Sequence, residues 1–348
     1  MYYGAFAMDF VEIDQFEATH LALPWPWVSI DARRARFAFA ASATRIATRA
    51  LVGGLIEAGP HFDLPQDLAI PGATQGPGAR GTVGFAIAPS GDELALVGNT
   101  EGGSILCTLT TNGNERRSPL NTLAGAECTA RAVAFDAAGA RLWVSADSPQ
   151  ATLLLLVETA THQVLGKLES PTLPEPGPHE LHVHPVDNAV LLLAACGPHG
   201  TFARVAGWSD GAPEAISTSM DTGSVPAGFV GFSADSARVH FAEADELRTH
   251  AWPGLQELSS VEFPGSFASS YAGVVLGKRI YVDGEDRDDE GQDAVMLFDP
   301  SGILGARLRA PVPTGMWVGK LGNDCIVTID AAGEPARGRV LRIPALLS

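Results

Sequence analysis

Short runs in which apolar and polar residues alternate recur along the chain, and most of them come in pairs joined by a turn. The clearest pairs are WVSIDARRARFAFA, FAIAPSGDELALVG, AVAFDAAGARLWVS, LHVHPVDNAVLLLA and VGFSADSARVHFAE. In each pair, residues of the turn-forming types Gly, Asp, Asn or Ser separate two apolar runs, which predicts a β-hairpin. Long runs with a helical period are missing, so we expect an all-β protein.

The hairpins repeat along the chain at a nearly constant spacing. An apolar residue of the second strand recurs at steps of 41 to 57 residues, at Phe37, Leu94, Leu142, Val190, Val239, Ile280 and Ile326. Third and fourth strands follow most hairpins, as in TLLLLVE and HQVLGKLES. A repeat of this length made only of strands predicts the four-stranded blades of a β-propeller.

Seven repeats fit the chain, and its two ends complement each other. The last repeat has room for only three strands, whereas GAFAMDFVEI precedes the first repeat as a surplus strand. Because an open stack of blades leaves exposed sheet edges, we expect the N-terminal strand to complete the last blade. The prediction is a single seven-bladed domain over 1–348, with 1–18 as the closing strand and blades at 19–65, 82–125, 130–173, 178–221, 226–265, 267–311 and 313–348.

The hairpins resemble those of the bacterial seven-bladed propellers of the YVTN and WD40-like group, whose consensus reads V-A-F-S-P-D-G-K-R-L-Y-V. The similar stretches are FAIAPSGDELALV, VAFDAAGARLWV and RIYVDG, and the resemblance covers nearly the whole chain. It implies an architecture and leaves the function open, because one fold carries many functions.

Composition and charge narrow the class of partner. The net charge of −17 argues against nucleic acid, because phosphate binding needs clustered Lys and Arg. Apolar runs such as TLLLLV are too short to span a bilayer, and the N-terminus lacks the pattern of a secretory signal. Four scattered cysteines without a CxxC pair indicate free buried thiols. We therefore expect a cytoplasmic monomer without membrane or nucleic-acid association.

The loops that follow the second strands are acidic, and in a propeller they share one end of the blades, here called the top face. The predicted partner face consists of Glu243, Asp245, Glu246 and Asp283. Arginines such as Arg33 and Arg34 lie instead in the opposite hairpin turns. Two interpretations remain open: these acids are simply solvated, or they form a docking surface for a basic protein partner or for cations.

The stretch PHELHVHP, residues 178–185, concentrates histidines on one predicted inner strand. Strand alternation places Glu180, His182 and His184 on one side of it. Glu180 and His182 are the catalytic candidates, and an HxH pair is also a partial site for a divalent metal. The alternative is a set of histidines that bond only to backbone or water.

The ligand-binding candidates are His179, His182, His199, Arg131, Trp27 and Trp317. The two tryptophans begin the inner strands of blades one and seven, where an aromatic ring can stack on a ligand at the channel mouth. Packing in the core is the alternative for both.

The stretch DRDDEG is similar to the start of a calcium loop, with Asp286, Asp288 and Glu290 as candidate ligands. The carboxylate expected at the twelfth position is replaced by Leu297. An acidic loop that holds no metal is the alternative.

The chain contains no P-loop and no H-E-x-x-H sequence. We therefore expect a non-enzymatic binding or scaffold propeller that engages a protein partner or small ligand through its acidic top face and channel mouth. No cofactor is expected, apart from a divalent cation if the histidines or the acidic loop hold one. The alternative is a lactonase-like hydrolase of a sugar lactone or ester, because GPHELHVHP resembles the GP-H-x-x-x-HP strand of phosphogluconolactonase-like propellers. That resemblance implies an anionic sugar acid held by Glu180, His179, His182 and Arg131.

Overall fold

The computed structural model describes residues 6–7, 10–18, 28–71, 80–171, 173, 177–209, 212–221, 227–264, 267–286, 292–299, 303–309, 316–330 and 335–343. The strands in these residues are β1 Phe6–Ala7, β2 Val11–Ala18, β3 Val28–Asp31, β4 Arg36–Ser42, β5 Arg45–Val52, β6 Leu55–Asp63, β7 Gly81–Ile87, β8 Glu93–Thr100, β9 Gly103–Thr110, β10 Glu115–Pro119, β11 Thr129–Phe135, β12 Arg141–Asp147, β13 Ala151–Glu158, β14 Val164–Pro171, β15 His179–Val183, β16 Ala189–Ala195, β17 Thr201–Ser209, β18 Ala212–Asp221, β19 Gly228–Phe232, β20 Arg238–Ala242, β21 Glu246–Ala251, β22 Glu257–Glu262, β23 Phe267–Leu276, β24 Arg279–Asp286, β25 Gln292–Phe298, β26 Leu304–Arg309, β27 Met316–Leu321, β28 Cys325–Asp330 and β29 Ala336–Arg342. One short helix, Leu120–Ala124, and two 3-10 turns, Gln66–Leu68 and Gly197–His199, complete the regular structure of the described residues.

The strands form seven sheets, which are the blades of a seven-bladed β-propeller. Blades one to six contain β3–β6, β7–β10, β11–β14, β15–β18, β19–β22 and β23–β26, each in chain order across the sheet. Blade seven has the order β27-β28-β29-β2, so an N-terminal strand completes it. The all-β fold, the seven blades and this closure are therefore confirmed. Within the predicted closing strand of 1–18, the two residues of β1 do not join blade seven: β1 adds to β26 in parallel as a fifth strand of blade six, with Phe6 opposite Leu308.

The chain divides into two units by its internal contacts. Residues Ala18–Asp221 form the unit of blades one to four, and Met1–Glu17 with Thr222–Ser348 form the unit of blades five to seven. In the first unit the neighbouring inner strands are β3, β7, β11 and β15, and in the second they are β19, β23 and β27.

The turns between first and second strands show why the repeats carry Gly or Ser there. Gly91, Gly139 and Ser236 each donate their backbone N–H to the carbonyl three residues earlier. Their φ angles are 84°, 77° and 60°, in the left-handed region that glycine enters without steric cost. A Cβ at Gly91 would also collide with the guanidinium of Arg36. The left-handed backbone conformation therefore explains why glycine marks these turns in the sequence.

The core follows the apolar repeat. The seven second-strand residues that define the repeat are at most 1% exposed, namely Phe37, Leu94, Leu142, Val190, Val239, Ile280 and Ile326. Successive side chains of a strand point to opposite faces, so a middle strand with a sheet neighbour on either side is apolar on both faces. Strand β16, AVLLLAA, shows this pattern, since all but its last residue are buried.

The four cysteines are free and buried. Burial raises the pKa of the Cys107 thiol to about 12 and that of Cys128 to about 11. These thiols are therefore protonated at neutral pH and poor nucleophiles, which agrees with the structural role expected from their scattered positions.

Candidate functional site

Two of the predicted site residues, Arg131 and His179, meet at Asp147 where blades three and four adjoin. Arg131 lies on β11, Asp147 ends β12 and His179 begins β15. Arg131 Nε donates to Asp147 Oδ2 at 2.6 Å, and His179 Nε2 lies 3.5 Å from Asp147 Oδ1. Thr152 adds a hydrogen bond of 3.0 Å from its hydroxyl to the same Oδ1. We call this group the Arg131–Asp147–His179 cluster.

The histidine of this cluster is electrically neutral. Its side chain is fully buried, and its Nδ1 lies 3.2 Å from the hydroxyl oxygen of Ser145. Burial lowers the pKa of His179 to about 4; the negative charge of Asp147 opposes this change and the positive charge of Arg131 adds to it. At neutral pH the cluster therefore holds one carboxylate, one guanidinium and an uncharged imidazole.

Ser145, His179 and Asp147 are the residue types of a hydrolytic triad, but their position closes them to substrate. Ser145 is 0% exposed, as is the side chain of His179. A nucleophilic serine must reach the carbonyl carbon of its substrate, which a fully buried hydroxyl cannot do. The contacts of the triad instead join the second strand of blade three to the first strand of blade four.

A similar set of hydrogen bonds between blades two and three supports this structural role. Asn99 lies near the end of β8, at the position that corresponds to Asp147. Its Oδ1 accepts a hydrogen bond of 2.7 Å from Ser104 and one of 3.3 Å from the backbone N–H of Ala130, in the first strand of the next blade. In both pairs of blades, a side-chain oxygen near the end of a second strand thus contacts a residue in the first strand of the next blade.

The two catalytic candidates are in contact on β15. Glu180 and His182 point to the same side of the strand, and His182 Nε2 lies 2.7 Å from Glu180 Oε2. Their side chains are 29% and 23% exposed, so this pair is open to solvent whereas His179 is not. The structure therefore brings the pair together as the strand alternation predicted.

The other histidines of the candidate set are used differently. His184 is buried, and its Nδ1 accepts the backbone N–H of Asp187 at 2.9 Å, which fixes the hairpin turn. His199 is exposed in the 3-10 turn that follows β16. Within the described residues, no group of three or more His, Cys, Asp or Glu side chains is arranged to hold a metal ion.

Of the two tryptophans predicted to stack on a ligand, only Trp317 lies within the described residues. Trp317 is 4% exposed and packs edge-on against Phe10, with ring centroids 6.2 Å apart. It therefore belongs to the core of its unit, which was the alternative interpretation. Trp27 lies outside the described residues, as do Asp288 and Glu290 of the calcium hypothesis, whereas Asp286 is the last residue of β24.

In the other unit, two residues of the predicted partner face lie inside the molecule. Glu243, which follows β20, is 1% exposed, and Asp283 on β24 is 5% exposed and accepts a hydrogen bond of 2.7 Å from Ser270. A surface for a partner cannot present these two carboxylates. Both carboxylates point inwards at the end of a blade. The number of charged residues in a loop does not indicate which of them do so.

Glu243 shares a guanidinium with Glu246. Arg248 Nε lies 3.2 Å from Glu243 Oε1 and 2.5 Å from Glu246 Oε1, while Ser260 donates its hydroxyl proton to Glu246. Burial raises the pKa of Glu243 to about 7; the positive charge of Arg248 opposes this change and the negative charge of Glu246 adds to it. We call this group the Glu243–Glu246–Arg248 cluster. Arg248 was not among the predicted site residues, although its spacing of two residues from Glu246 places both side chains on one side of β21.

Exposed acids nevertheless gather at this end of blades five and six. Asp245, Glu262 and Glu285 are all exposed. Two backbone hydrogen bonds, from Phe263 to Asp245 and from Ser269 to Ala244, hold the β20–β21 turn against the end of β22 and the start of β23. Glu285 pairs with Ala268 in the next register position of blade six. We call these three acids the acidic patch; only Asp245 among them was predicted.

Comparison with protein-family models and with curated proteins gives no match for this chain. The helices of the described residues are all too short or too polar to cross a membrane.

Proposed function

We propose that this chain is a non-enzymatic binding propeller whose acidic patch engages a basic protein partner. The observation that carries the proposal is the patch itself: Asp245, Glu262 and Glu285 are exposed on neighbouring segments. The nearby Arg248 is already committed to Glu246 and Glu243. Clustered carboxylates favour a positively charged partner and accelerate its association.

The experiment is a titration with a lysine-rich peptide, measured by calorimetry at low and at physiological salt. We expect binding that weakens as salt rises, because exposed charges are screened within about 8 Å at physiological ionic strength. In the variant Asp245→Lys/Glu285→Lys, binding should fall at least about tenfold, which corresponds to about 1.4 kcal/mol.

A matched control reverses two exposed acids of the other unit, Glu57 and Glu127. The variant Glu57→Lys/Glu127→Lys changes the net charge by the same amount, so any general effect of charge appears in both variants. An equal loss of binding in the two variants, or no binding in the parent protein, would contradict the proposal.

A second function, hydrolysis of a sugar lactone or ester, is favoured by the solvent-open Glu180–His182 pair. A histidine held at 2.7 Å by a carboxylate is suited to act as a general base on water. If this pair is catalytic, the protein should hydrolyse lactone or ester substrates, and His182→Asn should lower kcat/KM at least about 100-fold. Equal rates for the parent protein and the variant would remove this candidate. The cytoplasmic location and the monomeric state stay predictions.

A further inference from the structure

The outer edges of the blades differ in how open they are to another strand. In blade one, β6 carries Pro60 in its interior, and in blade two β10 is short and ends at Pro119. Proline lacks the N–H that a partner strand needs, and proline at an edge discourages strand addition. In blade six the outer edge of β26 is already covered by β1.

Blade five has an edge without these protections. Strand β22, ELSSVE, contains no proline and lies at the end of the order β19-β20-β21-β22. In the described part of the chain no strand pairs with its outer side. The parallel addition of β1 to β26 shows that a blade of this protein accepts an extra strand on its outer edge.

The side chains of β22 present a defined pattern. Ser259 and Val261 are half-buried, and Val261 packs against the core of blades five and six. Leu258, Ser260 and Glu262 are exposed, as is Glu257 at the beginning of the strand. The edge thus presents the apolar side chain of Leu258, which is 53% exposed, between the carboxylates of Glu257 and Glu262.

We propose that β22 binds an extended basic peptide segment of a partner protein, which adds as a fifth strand to blade five. This inference rests on the proposed function, because Glu262 belongs to both the acidic patch and the edge strand. Backbone hydrogen bonds to the open edge supply affinity, and the side chains beside them supply specificity. An apolar residue of the segment would contact Leu258, and a lysine or arginine at each end would lie beside Glu257 and Glu262.

The test uses a short fluorescent peptide in which valine and threonine alternate between two terminal lysines. A second peptide has the same sequence but carries N-methyl groups on alternate amides, which removes the donors needed for strand pairing and leaves the charge unchanged. Fluorescence anisotropy with the full-length protein should show the methylated peptide binding at least about tenfold more weakly. Hydrogen exchange should show that the unmethylated peptide protects backbone amides of residues 257–262.

Two variants test the edge itself. Glu257→Lys/Glu262→Lys should weaken the unmethylated peptide at least about tenfold. The control is Glu17→Lys, which reverses an exposed acid on β2, the outer strand of blade seven, and should change binding less than about twofold. Circular dichroism establishes that both variants keep the fold of the parent protein.

The outcomes separate this inference from the proposed function. Equal binding of the two peptides without protection of 257–262, but loss of binding in Asp245→Lys/Glu285→Lys, would overturn strand addition and leave the acidic patch as the binding surface. A larger effect of Glu17→Lys than of the β22 variant would also overturn it, because the edge of blade seven would then be the acceptor. Failure of both peptides to bind would contradict both proposals.

Discussion

The Arg131–Asp147–His179 cluster and the Glu243–Glu246–Arg248 cluster occupy similar places at the ends of second strands, yet their charges balance differently. In the first, one carboxylate meets one guanidinium and a neutral imidazole. In the second, two carboxylates share one guanidinium, and one of the two is almost fully buried. The first is therefore balanced at neutral pH, whereas the second has one negative charge too many for its surroundings.

The two clusters show that the sequence alone does not assign an acid in a propeller loop to the surface or to the interior. Asp147 ends a second strand, where the loops were predicted to form an acidic face, but its side chain is only 11% exposed and holds two strands together. Glu243 was assigned to a partner face, but it is inside. The pKa of His179 is lowered and that of Glu243 is raised, so the stability of the two clusters should respond to pH with opposite signs.

The largest effect is expected from removal of the carboxylate of the balanced cluster. Asp147→Ala leaves Arg131 and the hydroxyl of Thr152 without their acceptor in a largely buried place. We expect a loss of about 3 kcal/mol in the free energy of unfolding, measured by urea denaturation at pH 7.5. Asp245→Ala serves as the control, because this exposed acid should change stability by less than about 0.5 kcal/mol. Equal values for the two variants would contradict a structural role for the carboxylate of Asp147.

Glu243→Gln tests the unbalanced cluster. The pKa of Glu243 in the folded protein, about 7, lies above its ordinary value of 4.5. The stabilisation linked to its bound proton is therefore complete below pH 4.5 and is lost as the pH rises through 7. Because glutamine stays neutral, the variant should be more stable than the parent protein by about 2 kcal/mol at pH 8 and nearly equal to it at pH 4.5. A stability difference that does not vary with pH would exclude this explanation.

His179→Gln should show the opposite dependence. The pKa of His179, about 4, lies below its ordinary value of 6.5, so its contribution is complete above pH 6.5 and is lost as the pH falls towards 4. Between pH 7 and pH 5 the parent protein should lose about 1–2 kcal/mol more than the variant. His162 and His240 also have a pKa lowered to about 4 by burial, so the variant must be compared with the parent protein at each pH. The NMR shift of the His179 ring provides a direct check, since it should not titrate near pH 6.5.

The smallest effect is expected from Glu257→Gln. Glu257 Oε2 lies 3.9 Å from Arg248 Nη1, and its side chain is 48% exposed. An ion pair of this length and exposure contributes little, so the free energy of unfolding should change by less than about 0.5 kcal/mol at pH 7.5. A larger change would mean that Glu257 is a third carboxylate of the Glu243–Glu246–Arg248 cluster. Three acids would then share one guanidinium.

The fold could be predicted from the sequence because it repeats. A residue such as Leu94 or Leu142 has to be apolar in every blade for the same reason, and left-handed turns recur at Gly91 and Gly139. Each copy of the pattern supports the others. The addition of β1 to β26 occurs only once and involves two residues, so no periodic signal could indicate it.

The sites could be predicted only in part, because each depends on contacts between segments far apart in sequence. Strand alternation was enough to bring Glu180 and His182 together. The burial of His179 depends instead on Ser145 and Asp147, more than thirty residues earlier, and the burial of Trp317 depends on Phe10 near the other end of the chain. Neither partner has a fixed spacing from which it could be found.

The position of β2 as the outer strand of blade seven has a consequence for synthesis on the ribosome. Its sheet neighbour β29 is made about 320 residues later, which corresponds to on the order of 15–60 s of translation. During that time the nascent chain carries an eight-residue strand that cannot yet pair with its own blade. Its three carboxylates, Glu12, Asp14 and Glu17, keep this unpaired segment soluble and discourage it from pairing with another nascent chain.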